Sequence, residues 1–354
     1  MDIEPLNSAG PDSLAVWVIT PKGRGLGLRI KNSVQDSSLF ISNRVNQGNA
    51  PESHIFGFDT LRLEINRHFH HFSGHVFIFS TGIAVRLIAQ LLNSKMTDPA
   101  VVVVDDNGTH AISLISGHVG GANALAYKIA GILGATPVIT TATDTNGLPA
   151  IDVIAKEKKL YIETPRNIKR INMAFLMGKP VYIHDPLGLI ENELHGVSLV
   201  EGSSNDQSLE KIYCSHEIEP VSRETMVLRP SVLSVGIGCN RGAGVEDIHD
   251  FLTLVFKEGN LSMNSIKRIA SIDLKKNEPG LLSLAEKMDL PLDFHTREAL
   301  NAVTAIETPS PMVEKHVGVK SVSEASAILS AGHGRLIVTK KKNKDVTIAV
   351  AIEK

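Results

Sequence analysis

Cysteine and aromatic residues are scarce in this chain, and it contains no long uncharged hydrophobic run. The 354 residues include only two cysteines, Cys214 and Cys239, which excludes a disulfide framework and a four-cysteine zinc site. Two free thiols fit the reducing conditions of the cytoplasm. No stretch approaches the roughly 18–20 apolar residues of a membrane-spanning helix. The N-terminal residues 1–13 carry early acids and do not resemble a secretory signal, so we expect a cytoplasmic protein with no membrane partner.

The chain also lacks a strong excess of either charge, with 36 basic and 38 acidic residues. A net charge of −2 produces no overall field that would attract nucleic acid, so we expect no nucleic-acid partner. An anionic ligand would have to be held by local Lys and Arg side chains and by helix N-termini. Hydrophobic residues make up 43% of the sequence, which is enough for ordinary packed cores, and the length favours two or three domains.

Short β-branched runs alternate with helical patterns along most of the chain, and a turn at residues 105–108 favours a hairpin into the following strand. This alternation predicts a multi-domain α/β protein in which parallel or mixed sheets are flanked by helices. We predict an N-terminal α/β domain over residues 1–150, a middle segment and linker over 151–228, and a separate α/β C-terminal domain over 229–354. The linker is placed at residues 217–230, which include Pro220 and Arg229.

The most informative segment is the loop at residues 116–123, which reads SGHVGGAN and leads into an apolar helix. Its glycines let backbone N–H groups approach a ligand closely, and the helix N-terminus favours an anion there. The next strand opens into a polar loop at 140–147, and a third loop at 80–83 also follows a strand. Because ligands bind at the carboxyl ends of parallel strands, we expect the three loops to converge. The predicted ligand-binding residues are Thr81, Gly82, Ser116, Gly117, Gly120, Gly121, Asn123, Thr141 and Thr143.

His118 is the one general acid/base candidate in this loop, because the ordinary pKa of histidine lies near neutrality. Asp144, in the facing polar loop, could orient His118 or hold the ligand. Two structural alternatives stay open, namely His118 as the cap of a backbone carbonyl and Asp144 as a residue that stabilises its own turn. We predict His118 and Asp144 as the catalytic pair.

A second glycine loop follows a strand in the last third of the chain, with glycines at 236, 238 and 242. This spacing is a weak dinucleotide fingerprint. It half fails, because Glu258, about 20 residues past the glycines, ends a predicted helix, and Asp273 ends the next strand but comes about 35 residues after Gly238. Arg241 in the loop favours a carboxylate or phosphate clamp instead. The residues predicted to bind a ligand here are Gly238, Asn240, Arg241, Asp273 and Lys275.

Several of these sequence segments together resemble a known family. SGHVGGAN followed by ATPVITTATDTNGLPAID is similar to the central segment of the cobalt-precorrin 5A hydrolase (CbiG) family of anaerobic cobalamin biosynthesis. The resemblance continues through four later segments in the expected order and covers about residues 77–351. The later segments are residues 234–242, 270–275, 317–331 and 347–351.

The resemblance implies a hydrolase that opens the δ-lactone of cobalt-precorrin 5A and releases acetaldehyde to give cobalt-precorrin 5B. It implies that the protein itself binds no cofactor or metal, because the corrinoid substrate carries the cobalt. We then assign His118 as the base, directly or through water, and the N–H groups of Gly120 and Gly121 as donors to the oxyanion.

Other interpretations stay open. The same loops would suit a non-catalytic protein that binds and carries corrinoid intermediates of the pathway. A nucleotide-dependent oxidoreductase would rest on the partial glycine fingerprint alone. A homodimer and transient contacts with the methyltransferases of the pathway are further partner expectations.

Overall fold

The computed structural model describes residues 13–45, 53–94, 97–118, 120–200, 206 and 208–353. The chain divides into two compact units, residues 1–153 and 154–354. Each unit contains mixed sheets flanked by helices, which confirms the multi-domain α/β class. The finer division at residues 150 and 228 remains a prediction. Residues 1–12, which carried the expectation about a secretory signal, lie outside the described part of the chain.

The first unit is built on a seven-stranded sheet with the order β3-β2-β1-β4-β5-β6-β7. Its strands are β1 (Leu14–Val18), β2 (Ser37–Ser42), β3 (Ile55–Phe58), β4 (Gly74–Ile78), β5 (Ala100–Val104), β6 (His110–Ile115) and β7 (Thr136–Val138). Its helices are α1 (Pro21–Ser33), α2 (Leu61–His68), α3 (Thr81–Ile88), α4 (Ala122–Leu133) and α5 (Ala142–Thr145), and α6 (Ile151–Glu157) follows at its end. Strands β1, β4 and β5 are buried along their whole length, as expected for parallel strands that helices cover on both faces.

Strand direction decides which loops share an edge of this sheet. The first five strands run parallel, but β6 runs antiparallel to β5, with Val101 beside Ile115. Strand β7 is parallel to β6. The carboxyl ends of β6 and β7 therefore lie at one edge, and the carboxyl end of β4 lies at the other. The expected convergence of all three loops is wrong, because the hairpin places the 80–83 loop, with Thr81 and Gly82, at the opposite edge from the other two.

One histidine in the core of the first unit has a fixed structural role. The indole N–H of Trp17 donates to Nδ1 of His75 over 3.1 Å, so the ring proton lies on Nε2 and is donated to the carbonyl of Phe69 at 2.9 Å. Complete burial lowers the pKa of His75 to about 4. The imidazole is therefore neutral and part of the core at neutral pH.

The second unit contains two sheets, with the orders β8-β11-β10-β9 and β14-β13-β12-β16-β15. The first comprises β8 (Leu160–Ile162), β9 (Val181–His184), β10 (Glu210–Cys214) and β11 (Met226–Pro230), with helix α7 (Ile168–Leu176). The second comprises β12 (Leu233–Cys239), β13 (Ile266–Ile272), β14 (Leu292–His295), β15 (Arg335–Lys342) and β16 (Val346–Ile352). Its helices are α8 (Val245–Glu258), α9 (Pro279–Met288), α10 (Arg297–Ala302), α11 (Pro311–Val317) and α12 (Val322–Ser330).

The predicted linker at residues 217–230 is wrong in its last part, because Met226–Pro230 forms a buried interior strand. Arg229 suggested an exposed segment, yet only 3% of its side chain is exposed. Its guanidinium pairs with Glu163 at 2.6 Å and donates to the carbonyl oxygens of Ser215 and Glu217. A charged side chain can be buried when it is paired with an opposite charge and hydrogen-bonded in this way.

Helix α12 packs directly on β12, and a glycine makes this close approach possible. A Cβ atom at Gly236 would lie 1.8 Å from the carbonyl oxygen of Ser323 and 2.7 Å from the backbone nitrogen of Ala327. Gly236 therefore serves helix packing, which accounts for this glycine of the weak dinucleotide fingerprint. Within the described ranges, no helix has the length and apolar character that crossing a membrane requires.

Candidate functional site

The 116–123 loop folds back on itself before α4 begins. Ser116 and Gly121 both have positive φ, at 59° and 87°, and this turns the loop carbonyls toward the first helical N–H groups. The N–H of Ala122 donates to the Ser116 carbonyl and that of Asn123 to the Gly117 carbonyl, each at 3.0 Å. The helix N-terminus is thus largely closed by its own loop, and it is not the open anion site that the glycines suggested.

The same geometry corrects one of the two proposed oxyanion donors. The N–H of Gly121 donates to the His118 carbonyl at 2.9 Å, so it is not free to stabilise an oxyanion in this conformation. Among the hydrogen bonds of the described residues, none uses the N–H of Gly120. Gly120 therefore remains the donor candidate in the loop.

Asn123 joins the two loops at the carboxyl edge of β6 and β7. Its side chain is buried, its amide oxygen accepts from Ser113 at 2.7 Å, and its amide nitrogen donates to Thr141 at 2.9 Å and Asp144 at 3.1 Å. Both amide hydrogens are therefore used inside the protein. This arrangement favours a positioning role for Asn123 over direct ligand binding.

His118 and Asp144 form the chemically distinctive pair of this site. Nε2 of His118 lies 2.8 Å from Oδ2 of Asp144 and 3.0 Å from the hydroxyl of Thr143. The same carboxylate oxygen accepts from Thr141 at 2.6 Å and from Asn123, so Asp144 cannot rotate freely. Because the carboxylate accepts the Nε2 proton, the lone pair of His118 stays on Nδ1.

The structure brings together most of the residues that the sequence selected in this unit. Ser116, Gly117, His118, Gly120, Gly121, Asn123, Thr141, Thr143 and Asp144 lie in the two facing loops. His118 is only 17% exposed, whereas the Asp144 side chain is 37% exposed. Ser113, which holds the Asn123 amide, was not selected; it lies on β6, three residues before the loop.

Of the residues selected in the second unit, Asn240, Arg241, Asp273 and Lys275 follow strand ends that share an edge, since β12 and β13 are parallel. Gly238 lies within β12. Several of these residues are held by neighbours. The amide of Asn240 donates to Asp345 at 3.0 Å, and the ammonium of Lys275 donates to Glu278 at 2.9 Å. Arg241 is exposed and makes no ion pair with another described residue. Arg241 thus fits the predicted carboxylate clamp better than Lys275 does.

Glu278 is the residue that sequence reasoning missed at this edge. Its side chain is 6% exposed, and it accepts from Lys275 and from the N–H of Gly242 at 2.7 Å. These two hydrogen bonds hold the pKa of Glu278 below its usual range. The carboxylate therefore ties the glycine loop after β12 to the segment after β13.

A group of three metal-ligating side chains occurs among the described residues, at Glu246, His249 and Asp250 on α8. Glu246 and Asp250 are exposed, and Glu246 pairs with Lys287 at 2.8 Å. An ion there would have to compete with this lysine, so we assign none to it.

Comparison with known proteins shows which family the chain resembles. Models of the cobalamin synthesis G N-terminal region, the cobalamin biosynthesis central region and the cobalamin synthesis G C-terminus match residues 64–144, 149–230 and 233–351. A protein named cobalt-precorrin-5A hydrolase from Priestia megaterium is 31% identical over 353 residues, with 96% of this chain and 94% of that protein covered. A protein of the same name from Salmonella typhimurium is 33% identical over 356 residues, with 98% and 99% covered.

A solved structure also matches part of the chain. The 1.7 Å crystal structure of CobE, described as a protein from the cobalamin (vitamin B12) biosynthetic pathway, is 34% identical and covers 35% of this chain and 92% of that one. Its TM-score of 0.34 is too low to support an argument about the fold. The consecutive family matches and the two nearly full-length relatives are sufficient without it: the chain belongs to the CbiG family of cobalamin biosynthesis.

Proposed function

We propose that this protein is a cobalt-precorrin-5A hydrolase, an enzyme that opens the δ-lactone of its corrinoid substrate and releases acetaldehyde to give cobalt-precorrin 5B. The observation that carries this proposal is the identity of 31–33% over almost the whole chain with two proteins of that name. The His118–Asp144 pair adds a group suited to the chemistry.

The reaction has two parts, and each needs a proton transfer. Water adds to the lactone carbonyl, the ring C–O bond breaks, and the products are a carboxylate and a free hydroxyl. Loss of the hydroxyl proton then lets the adjacent C–C bond break. Acetaldehyde leaves, the macrocycle takes the electron pair, and that carbon is protonated. The protein must supply a base of a type whose ordinary pKa lies near neutrality, and a hydrogen-bond donor to the oxyanion.

We assign the base to Nδ1 of His118. Asp144 accepts the Nε2 proton at 2.8 Å, which fixes the tautomer and stabilises the imidazolium once Nδ1 has taken a proton. Asn123 and Thr141 hold Asp144 in place. The N–H of Gly120 is the remaining oxyanion donor of the loop.

Further parts of the proposal concern the setting of the reaction. The protein itself supplies no cofactor in this mechanism, and the cobalt enters as part of the substrate. Exposed cationic side chains such as Arg241 would bind substrate carboxylates. We also propose a cytoplasmic location, a homodimer, and transient contacts with the methyltransferases of the pathway.

The test is anaerobic incubation of the purified full chain with cobalt-precorrin 5A, with acetaldehyde trapped and the corrinoid spectrum followed. We expect one acetaldehyde released for each substrate consumed, without added nucleotide. Tight corrinoid binding with no acetaldehyde would reject the hydrolase and favour a carrier protein. A strict requirement for a nicotinamide cofactor would favour an oxidoreductase.

A change at Gly120 tests whether the reaction depends on the loop conformation, which places both His118 and the N–H of Gly120. In Gly120→Ala the new Cβ would lie 2.2 Å from Cβ and 2.8 Å from the carbonyl oxygen of Ser116, so the loop must shift. We expect acetaldehyde release to fall by up to about 10²-fold, since misplacing a reacting group by about 1 Å can have that effect. The measurement is the initial rate at saturating substrate.

The matched control is Gly131→Ala, in the middle of α4, where a Cβ would meet no atom within 4 Å. It should keep the wild-type rate. Equal rates for both variants would show that the loop conformation does not matter for the reaction.

A further inference from the structure

A polar chain of four side chains lies on the second sheet of the second unit, outside the residues that the sequence selected. Nε2 of His295 is 2.7 Å from the hydroxyl of Ser330, and this hydroxyl donates to Oδ2 of Asp293 at 2.9 Å. The guanidinium of Arg268 pairs with the same carboxylate oxygen at 3.1 Å. The chain therefore runs from a cation through a carboxylate and a hydroxyl to an imidazole.

The number of protons available in this series of four hydrogen-bonded side chains fixes the tautomer of His295. Ser330 has a single hydroxyl proton, and Asp293 accepts it. The serine oxygen can then only accept from His295, so the imidazole proton lies on Nε2 and the lone pair on Nδ1. Among the hydrogen bonds of the described residues, none uses Nδ1 of His295. A ring nitrogen that donates to a fixed partner while the other carries an open lone pair is the usual arrangement of a metal-binding histidine.

The charges around His295 favour a neutral imidazole that can coordinate a metal over an imidazole that takes up a proton as a base. His118 donates directly to a carboxylate, which stabilises an imidazolium. His295 instead donates to a neutral hydroxyl, and the charge of Asp293 is balanced by Arg268. Burial lowers the pKa of His295 below the ordinary histidine value, against the opposing effect of Asp293.

The position of His295 in the sheet is that of a ligand-binding residue. It is the last residue of β14, which runs parallel to β13 and β12, so it shares their carboxyl edge. Leu274, just past β13 at this edge, is 63% exposed although it is apolar. Exposed cations also follow the three strand ends: Arg241, Lys276 and Arg297. The edge thus offers an apolar contact, cations for carboxylates, and an imidazole lone pair.

We propose that Nδ1 of His295 coordinates the cobalt of the corrinoid substrate as an axial ligand, which deepens the proposed function and rests on it. A free metal ion would need several protein ligands, and His295 is not part of the three-ligand group found in the described residues. Cobalt in a corrinoid needs only one, because the macrocycle nitrogens fill its equatorial positions. A lone imidazole with a fixed tautomer meets this requirement.

The test uses Co(II) cobyrinic acid, a corrin that has free carboxylates and no nucleotide base of its own, bound to the full-length protein. Electron paramagnetic resonance of Co(II) reports an axial nitrogen, because a coordinated ¹⁴N splits the cobalt lines into triplets. We expect triplets with wild type, doublets when the protein contains ¹⁵N-labelled histidine, and neither with His295→Ala. Ser330→Ala should weaken cobyrinic acid binding by about 10-fold or more, the usual effect of losing the partner of a metal-ligating histidine.

The matched control is His249→Ala on α8, which should retain the triplets. A bound corrinoid without nitrogen splitting, failure of wild type to bind cobyrinic acid, or triplets that persist in His295→Ala would each overturn the proposal. Acetaldehyde release is measured separately, so a failed hydrolase assay and a failed coordination assay are distinguishable.

Discussion

Replacing His118 with alanine is expected to lower the rate of acetaldehyde release by roughly 10²–10⁴-fold, the range for loss of a general base. The physical reason is that His118 is held by Asp144 at 2.8 Å with its lone pair on Nδ1, and no other histidine lies in the two facing loops. The measurement is the initial rate under anaerobic conditions at saturating substrate, together with the corrinoid dissociation constant. We expect the dissociation constant to change little, because the imidazole acts on the bound substrate.

The companion variant Asp144→Asn separates positioning from proton acceptance. Asparagine keeps the size of the side chain but cannot stabilise the imidazolium, and its amide can impose the other histidine tautomer. We expect a rate loss that approaches the loss in His118→Ala, and no further loss when both changes are combined, because the pair acts as one unit.

The control for these variants is His110→Ala at the opposite end of β6, where His110 faces Asp105 at 3.5 Å. This exposed histidine–carboxylate pair resembles the proposed catalytic pair in composition but lies at the other sheet edge, and its loss should leave the rate unchanged. Wild-type rates in His118→Ala would remove His118 from the chemistry and leave Asn123, Thr141 and Asp144 as a structural network. Equal rate losses in His110→Ala and His118→Ala would point to a general effect on folding.

Much of the first-unit site could be predicted because its residues are close in sequence and their pattern is strong. The apolar runs of β5 and β6, the glycine loop and the polar loop after β7 all lie within residues 100–147. The pairing of His118 with Asp144 followed from two strand ends at one sheet edge. The error at Thr81 arose from the hairpin at 105–108, which was itself predicted but reverses the direction of β6 and β7 relative to β4.

Other features could not be predicted because they depend on contacts that sequence spacing does not reveal. Whether the N–H groups before α4 are free depends on the backbone angles of Ser116 and Gly121. Ser330, the hydrogen-bond partner of His295, is 35 residues from it in the sequence, and Arg268, which pairs with Asp293, is 27 residues from His295. A charged residue such as Arg229 leads to the prediction of an exposed segment, because the sequence does not show the partners that allow it to be buried.

Glu324 is another buried charge of this kind, and it organises the end of the second unit. Its side chain is completely buried. One carboxylate oxygen accepts from the N–H groups of Glu307 and Thr308, each at 3.0 Å, and the other accepts from the Thr308 hydroxyl at 2.6 Å and the N–H of Lys340 at 2.9 Å. One side chain on α12 therefore ties the segment before α11 to strand β15.

We expect Glu324→Ala to lower the free energy of unfolding by about 3 kcal/mol or more, because a buried donor left without a partner costs roughly 1–3 kcal/mol. Glu324→Gln keeps one oxygen acceptor and should cost less. The measurement is urea unfolding followed by far-UV circular dichroism. Trp17 is the only tryptophan and lies in the first unit, so its fluorescence provides an internal reference. Glu314→Ala, an exposed site on α11, is the matched control.

The same residue predicts a pH dependence with a definite sign. Burial by itself would raise the pKa of Glu324, but the hydrogen bonds from Thr308, Lys340 and Glu307 outweigh it, and the folded-state pKa lies below the usual value. A depressed carboxylate pKa contributes stability that is present above the unfolded-state pKa of about 4.3 and is lost as pH falls through the lower folded-state value. The stability difference between wild type and Glu324→Gln should therefore be constant near neutral pH and shrink below about pH 4. A difference that stays the same down to about pH 3 would mean that the charge of Glu324 does not contribute, and that only the shape of its side chain matters.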